Sequence, residues 1–315
     1  MSNTRRRVQP DPSLSPAAVS RLHGYFTGAS KEEPADFGAW TRSGQLDGLT
    51  LAEVLRVGRP QIRSRVFRDC HFKSWRFADT DVADCEFTNC LFDRCEWSYG
   101  RLANCVIRAS EFKHCELYAV RFEGESHPAS TLEDVTLTNC KLRHSMLHRS
   151  TWRNCIWTDC NTTSVECDAP RLINLKVKGS FHQVFMRGAL HPLAQKRLAR
   201  PTEVDSLYEI DLSEARVSDC TIFPSVVLDR VTPPSDGHCV LLSSRSAARE
   251  QIKLLLGRHS DPMTVEIAGR LDVMLSNKYS EWALLTKNDL FASKHLSSRI
   301  ASDVWQVLVS MAIRR

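Results

Sequence analysis

Glycine is scarce in this sequence, and the motifs built on it are missing. Thirteen glycines in 315 residues form neither the G-x-G-x-x-G of a dinucleotide-binding turn nor the Walker pattern that cradles phosphates. No G-x-S-x-G nucleophile elbow occurs either. The commonest nucleotide-dependent and acyl-transfer sites are therefore not expected, and neither is any cofactor. Charge of one sign is also in short supply. Forty-two basic against 37 acidic residues leave a net charge of +5, too small an excess to announce nucleic-acid binding by itself. No run approaches the ~18 apolar residues of a membrane span. The opening MSNTRRRVQP is basic but has no apolar stretch behind it, so a secretory leader is not expected.

Cysteine, by contrast, is abundant, at 12 residues. In a short exported chain that count would suggest a disulfide framework. Without an export signal the expectation is reduced thiols in a cytoplasmic protein, and their positions say more than their number. The stretch DCEFTNCLFDRCEW, from Asp84 to Trp97, places Cys85, Cys90 and Cys95 five residues apart, with Phe87, Phe92 and Trp97 two residues after each. Five is neither a helix period, nor a strand period, nor a usual metal-ligand spacing.

The frame is long. Every fifth residue from Phe67 to Trp157 is apolar at 18 of 19 places, broken only at His127. Ten of the 12 cysteines lie two residues before these places, or in the same phase at Cys220. The other positions of that small-residue column hold mostly Ser, Thr, Gly or Val, with Arg65, Trp75 and Glu125 as exceptions. Two residues after the large side chain, Asp or Asn is frequent, as at Asp69, Asp84, Asn89, Asn104 and Asn154, and these residues favour turns. Each unit thus reads as a short strand plus a corner. The large and small side chains, two apart, point the same way. A single unit cannot bury that side; wound into a coil, it can. Cysteine suits the small place as a compact hydrophobe.

The stretches CEFTN, CLFDR, SEFKH, CKLRH and DLSEARVSDCTIF resemble the pentapeptide-repeat proteins, over roughly residues 60–182 and 208–230. The resemblance implies a mainly β fold, a right-handed quadrilateral β-helix with four units and twenty residues per coil. This sequence departs from the family in favouring Phe and Trp over Leu at the central place. If coils are twenty residues long, Lys73, Asp93, Lys113, Glu133 and Arg153 form one column of alternating charge, which stabilises neighbouring strands by roughly 0.2–1 kcal/mol per pair.

EGESHPAS (123–130) interrupts the pattern without losing its phase. A larger interruption, 183–207, reads as a basic excursion with Lys196, Arg197 and Arg200, after which the frame resumes at Leu212, Val217, Ile222 and Val227. Open strand stacks need covered ends. Residues 1–12 are expected to be disordered. Over 13–60 an N-terminal helical cap is expected, with a helix starting at Ser15 and Pro16 that presents Val19, Leu22 and Phe26, and a capping box at TLAE, 50–53. From 61 to 232 runs the β-helix. From 233 to 315 the pattern predicts a small C-terminal α/β domain: a strand at CVLLS, a helix ended by Gly257, a helix from Asp261 and Pro262, a strand at EWALLTK and a long helix from Asn288. That last helix is expected to seal the rod or to pair with a second copy, giving a monomer or a homodimer.

The cysteine spacing does not bring metal ligands together, so no metal site is expected, and His144 and His148 read as surface residues. No catalytic residue is assigned. Three readings of function remain. The first is a non-enzymatic platform for a protein partner, with Arg101, Arg121, Lys141 and Arg143 on one basic wall, Leu91 and Met146 as exposed apolar contacts, and Lys196, Arg197 and Arg200 in the excursion. The second follows from the resemblance. Family members that confer topoisomerase-poison resistance imitate DNA and bind DNA gyrase in its place. That mechanism needs an acidic rod, yet residues 63–178 carry 17 Lys and Arg against 16 Asp and Glu. Direct nucleic-acid binding by the basic wall ranks third.

Overall fold

The structure, a computed structural model, describes residues 16–27, 60–123, 129–189, 206–257, 261–276, 280–291, 295 and 298–313. From residue 61 most units are three-residue strands joined by two-residue corners, and each strand buries its middle side chain. The second residue after the centre is left-handed at nearly every corner, with φ between 46° and 60° from Ser64 to Asn174. Asn and Asp tolerate that conformation best. They also bond from coil to coil: Asn104 Nδ2 donates to Asp84 Oδ1 at 2.7 Å, and Asn154 Nδ2 to Asp134 Oδ1 at 3.0 Å. Arg94, Tyr99 and Ala109 adopt the same φ, so the coil imposes the corner on residues that would not choose it.

The register makes the coil square. Gln61, Asp81 and Arg101 lie side by side in parallel strands on a first wall. Phe67, Phe87 and Ile107 do so on a second, and Phe72, Phe92 and Phe112 on a third. Arg76, Glu96 and Glu116 bridge on a fourth. Partners are twenty residues apart up to the 123–130 break. Across it they are 25 apart: Val106 faces Thr131, Glu111 faces Thr136, and Arg121 faces Met146. The expected charge column is therefore corrected. Lys73, Asp93 and Lys113 stack on the third wall, but Lys113 next meets Thr138. Glu133 and Arg153 belong to the second wall, where Glu133 sits between Arg108 at 3.1 Å and Arg153 at 3.8 Å. The break carries one unit more than a coil needs, which keeps the five-residue phase and shifts the twenty-residue one.

Inside, the central side chains form vertical stacks. Phe72, Phe92 and Phe112 lie nearly parallel with ring centroids 4.9 and 4.4 Å apart; Phe77 and Trp97 stack at 4.0 Å. Both described exceptions in the small column, Arg65 and Trp75, fall in the first coil, where no earlier coil lies beneath them. Helix α1 (Pro16–Thr27) fills that end. Its Phe26 meets Trp75 edge to face at 6.1 Å, Tyr25 lies 5.0 Å from the Arg65 guanidinium, and Tyr25 Oη donates to Val66 O at 2.9 Å. Leu22 and Phe26 are buried as expected. The Val19 side chain, the capping box at 50–53 and residues 1–12 lie outside the described residues.

All twelve cysteines are free thiols. Each one in the small column of the rod donates to the backbone carbonyl two residues before it, as Cys155 does to Arg153 O at 3.4 Å. Ser110, in the same column, makes the same bond to Arg108 O at 2.7 Å. Burial pushes the Cys155 thiol from its ordinary 9.0 up to about 12. An acid raised in the folded state stabilises fully below its unfolded value, and that stability is lost as pH rises from about 9 towards 12. Cys155→Ser should cost under about 1 kcal/mol at neutral pH, because the hydrogen bond is kept. It should also shallow the alkaline loss of stability, since serine does not titrate there. Urea midpoints measured at pH 7 and pH 10.5 check both; an equally steep alkaline loss in the variant would refute the account.

The far end corrects four expectations. The rod continues past residue 183, with Phe185–Arg187 pairing Glu166–Asp168; the strand Leu207–Ser218 then rejoins along Arg171–His182. The excursion is thus narrower than predicted, and Lys196, Arg197 and Arg200 lie outside the described residues. The frame holds at Leu212 and Ile222 but ends before Val227, which is 53% exposed while Val226 and Leu228 are buried. The seal is a two-stranded antiparallel sheet, Cys239–Leu242 with Ala283–Thr286. Cys239, Leu241 and Leu284 join the rod's interior. Val240, Leu242, Ala283 and Leu285 face a second core formed by α2 (Arg245–Leu256), α3 (Pro262–Met274), α4 (Lys287–Leu290) and α5 (Arg299–Met311). The long helix expected from Asn288 is two helices: α4 ends at Leu290, with Phe291 already extended, and Ser298 caps α5 by accepting from Ala301 N–H. Ala301, Val304, Trp305 and Leu308 of α5 are spent inside this cap, leaving Ser302, Asp303, Gln306 and Ser310 outward. The exposed residues of this helix are thus polar, and Ile300, Val307, Val309 and Met311 are partly covered by the same core. Among the described residues no helix is long and apolar enough to cross a membrane.

Candidate interaction surface

The expected single basic wall does not exist. Arg101 and Arg121 stack on the first wall, whereas Lys141 bridges Glu116 and Asn161 on the fourth, where Arg143 also lies. Strand pairing twenty apart would have aligned Arg121 with Lys141; the extra unit in the 123–130 break puts Met146 there instead. Two of the cations are compensated, Arg101 by Asp81 at 3.6 Å and Lys141 by Glu116 at 3.6 Å. Leu91 and Met146, expected to be exposed, are both half-buried, and Leu91 sits on the third wall between His71 and Glu111, away from the others.

The fold nonetheless gathers four of the predicted residues around one edge. Arg121 and Met146 flank it on the first wall, and Lys141 and Arg143 on the fourth. Between them runs an aromatic ladder that the repeat pattern did not reveal. Tyr99, 57% exposed, meets Tyr118 edge to face at 5.2 Å, and Tyr118 meets His144 at 5.4 Å. Tyr99 and His144 both occupy left-handed corners, at φ 58°. A hydrogen bond with Tyr118 holds the Tyr99 phenol above its usual range. The signal was present in the sequence as Tyr99, Tyr118 and His144, but the corner position and the shifted register were needed to stack them.

One further polar cluster is buried on the first wall. His148, read as a surface residue, is 6% exposed; its place in the column sets it against Asp168, which is fully buried. His148 Nε2 lies 3.7 Å from Asp168 Oδ2. Arg187 Nη1 reaches Asp168 Oδ1 at 2.7 Å and Glu166 Oε2 at 3.4 Å, and its guanidinium lies 4.4 Å from the Phe223 ring. His148, Glu166 and Asp168 could present three ligand atoms to a cation within 4.8 Å of one another. Arg187 already holds both carboxylates, so the cluster reads as a buried ion-pair network. Burial raises the Cys155, Cys167, Cys220 and Cys239 thiols, opposite to the lowering a reactive cysteine needs; hydrogen bonds with Cys105 and Cys70 lower Cys85 and Cys90, but both are buried in the rod.

No protein-family model matches the sequence, and no curated protein matches it. Among solved structures, the chain is similar to a pentapeptide-repeat protein, Rfr23, from the cyanobacterium Cyanothece 51142, at 13% identity over 42% of this chain and 86% of that one, with a TM-score of 0.27. It is similar to HetL, a pentapeptide-repeat protein involved in heterocyst differentiation regulation in Nostoc sp. strain PCC 7120, at 8% identity over 59% and 87%, TM-score 0.23. It is also similar to QnrB1, a plasmid-mediated fluoroquinolone resistance protein, at 13% identity over 63% and 89%, TM-score 0.25. The five-residue frame, the twenty-residue register and the four walls, all read on the chain itself, make this a four-sided β-helix, the fold that the pentapeptide-repeat resemblance implied.

Proposed function

We propose that the protein is a non-enzymatic platform that binds a protein partner along the edge between its fourth and first walls. The observation that carries this reading is the Tyr99–Tyr118–His144 ladder, exposed at Tyr99 and His144 and half-buried at Tyr118, with Arg121, Arg143 and the half-buried Met146 beside it. Tyr, Arg and Met are enriched at interfaces. Tyrosine brings large contact area at low entropic cost, and a hydrogen-bonded coil holds the ladder in place before binding, which reduces the ordering penalty.

The alternatives draw less support. Gyrase protection by imitation of DNA calls for an acidic stripe, and the described columns are mixed: Asp81, Arg101, Arg121, Met146, Glu166 on one wall and Arg76, Glu96, Glu116, Lys141 on another. Direct nucleic-acid binding calls for uncompensated cations, and Arg101 and Lys141 are already paired.

The test compares the full chain with the double variant Tyr99→Ala/Tyr118→Ala, using a photo-reactive group at position 144 in extracts of the native host. Truncating two central contacts should reduce capture of a specific protein by roughly 30-fold or more. Undiminished capture by the double variant would sink the surface. Salt-sensitive retention on DNA would move the reading to nucleic acid, and rescue of DNA supercoiling in a gyrase and inhibitor assay would move it to topoisomerase protection.

A further inference from the structure

Where the last coil meets the sealing sheet, a cavity of about 200 Å³ opens between Arg216 and Val217 of the rod and Asp236, His238, Cys239, Thr286, Lys287 and Asn288 of the cap side. Its charges are unbalanced in a particular way. Two acids at this junction are committed to backbone N–H groups, and a third, Asp219, faces the His182 ring at 3.5 Å. Asp236 Oδ1 accepts from His238 at 2.9 Å; Asp289 Oδ1 accepts from Asp219 at 3.0 Å and its Oδ2 from Thr286 at 3.1 Å. The cations are not so committed. Among the described residues neither Arg216 nor the Lys287 ammonium has a carboxylate partner; Lys287 Nζ lies 5.3 Å from the Trp305 ring. Elsewhere on the rod the corresponding cations are matched: Lys176 and Lys178, one coil below, both reach Glu214 at 2.7 and 3.1 Å. The imidazole of His238 adds a third nitrogen-bearing side chain to the same lining.

We propose that this junction is a binding site for a phosphate-type oxyanion, as the free ion or as the monoester end of a small molecule. The space exceeds what one water needs. Arg216 offers a planar fork suited to two oxygens and Lys287 a mobile point charge, and bonds from such groups to an anion are the strong, short kind. Because the lining comes from both the rod and the cap, an anion held there would also fasten one to the other. This site is independent of the Tyr99–Tyr118–His144 edge and survives or fails separately from it.

Calorimetric titration of the full chain with inorganic phosphate and with glycerol phosphate, at fixed ionic strength in chloride, tests the proposal. Saturable binding is expected, weakened about ten-fold or more in Arg216→Gln and in Lys287→Gln, and retained in larger part by Arg216→Lys. Binding of both ligands assigns the monoester end, and binding of inorganic phosphate alone assigns the free ion. Arg216 is exposed, so its glutamine variant should unfold at the wild-type temperature in chloride and gives a clean comparison. No saturable heat with either ligand, or equal affinity in wild type and Arg216→Gln, would overturn the site.

Discussion

Phe92→Ala should remove about 3–5 kcal/mol of folding stability, the range for emptying a buried phenyl site. Phe92 is wholly inaccessible and belongs to two kinds of contact at once. Along the rod it stacks between Phe72 and Phe112. Across the coil it meets Phe87 at 5.7 Å and Trp97 at 5.6 Å, both edge to face. Such ring pairs add roughly 0.5–1.5 kcal/mol each beyond area burial. The coil cannot collapse onto the void, because its walls are held 360° around by strand hydrogen bonds. Phe92→Leu should cost under about 1.5 kcal/mol if the volume is repacked, since Leu137 already occupies the same column after Phe112. Urea titration by tryptophan fluorescence reads the difference, and hydrogen exchange should show the loss concentrated in the adjoining coils, because each coil touches only its neighbours. A cost below about 1 kcal/mol for the alanine variant would mean that the aromatic interior is not what holds the coils together.

Arg187→Met is expected to be comparably damaging, about 3–5 kcal/mol, because it strips the guanidinium from a carboxylate that has no access to water. Asp168 is fully buried and Arg187 mostly so. Arg187→Lys should recover only part of the loss, since one ammonium cannot serve Asp168 and Glu166 as a planar fork does. The informative variant is the double one. If the penalty is an uncompensated charge, Asp168→Asn should rescue much of the Arg187→Met defect. If Arg187 acts instead through its packing on Phe223, the double variant will be no more stable than the single one. Thermal and urea unfolding of the four proteins separate these outcomes.

The rod was legible in the sequence because one short rule is repeated. A large residue, a left-handed corner and a small residue recur every five positions, and Phe87 or Cys90 can play no other part in such a frame. What was illegible depended on counting across an interruption. The twenty-residue register cannot be carried through 123–130 from phase alone, since one added unit preserves the five-residue frame. That single ambiguity misplaced Glu133, Arg153 and Lys141 by one wall. The buried position of His148 was hidden for a different reason. It stands at an outward place in its unit, and its neighbours Asp168 and Arg187, one and two coils further along the chain, explain why it is covered. The cap was read element by element from its capping signals, yet the job of sealing fell to alternating residues of Cys239–Leu242, whose two faces serve two different cores. A fully apolar strand does not announce that division.

The one-unit excess at 123–130 has a consequence for how this molecule tolerates change in length. Five amino acids added there and left outside the winding alter nothing downstream. The same five drawn into the winding would turn every later layer by a quarter of a revolution. The interior would still be filled, but His144 would leave the side on which Tyr99 and Tyr118 stand. Stability and recognition in this protein therefore answer to different arithmetic, the first to multiples of five and the second to multiples of twenty.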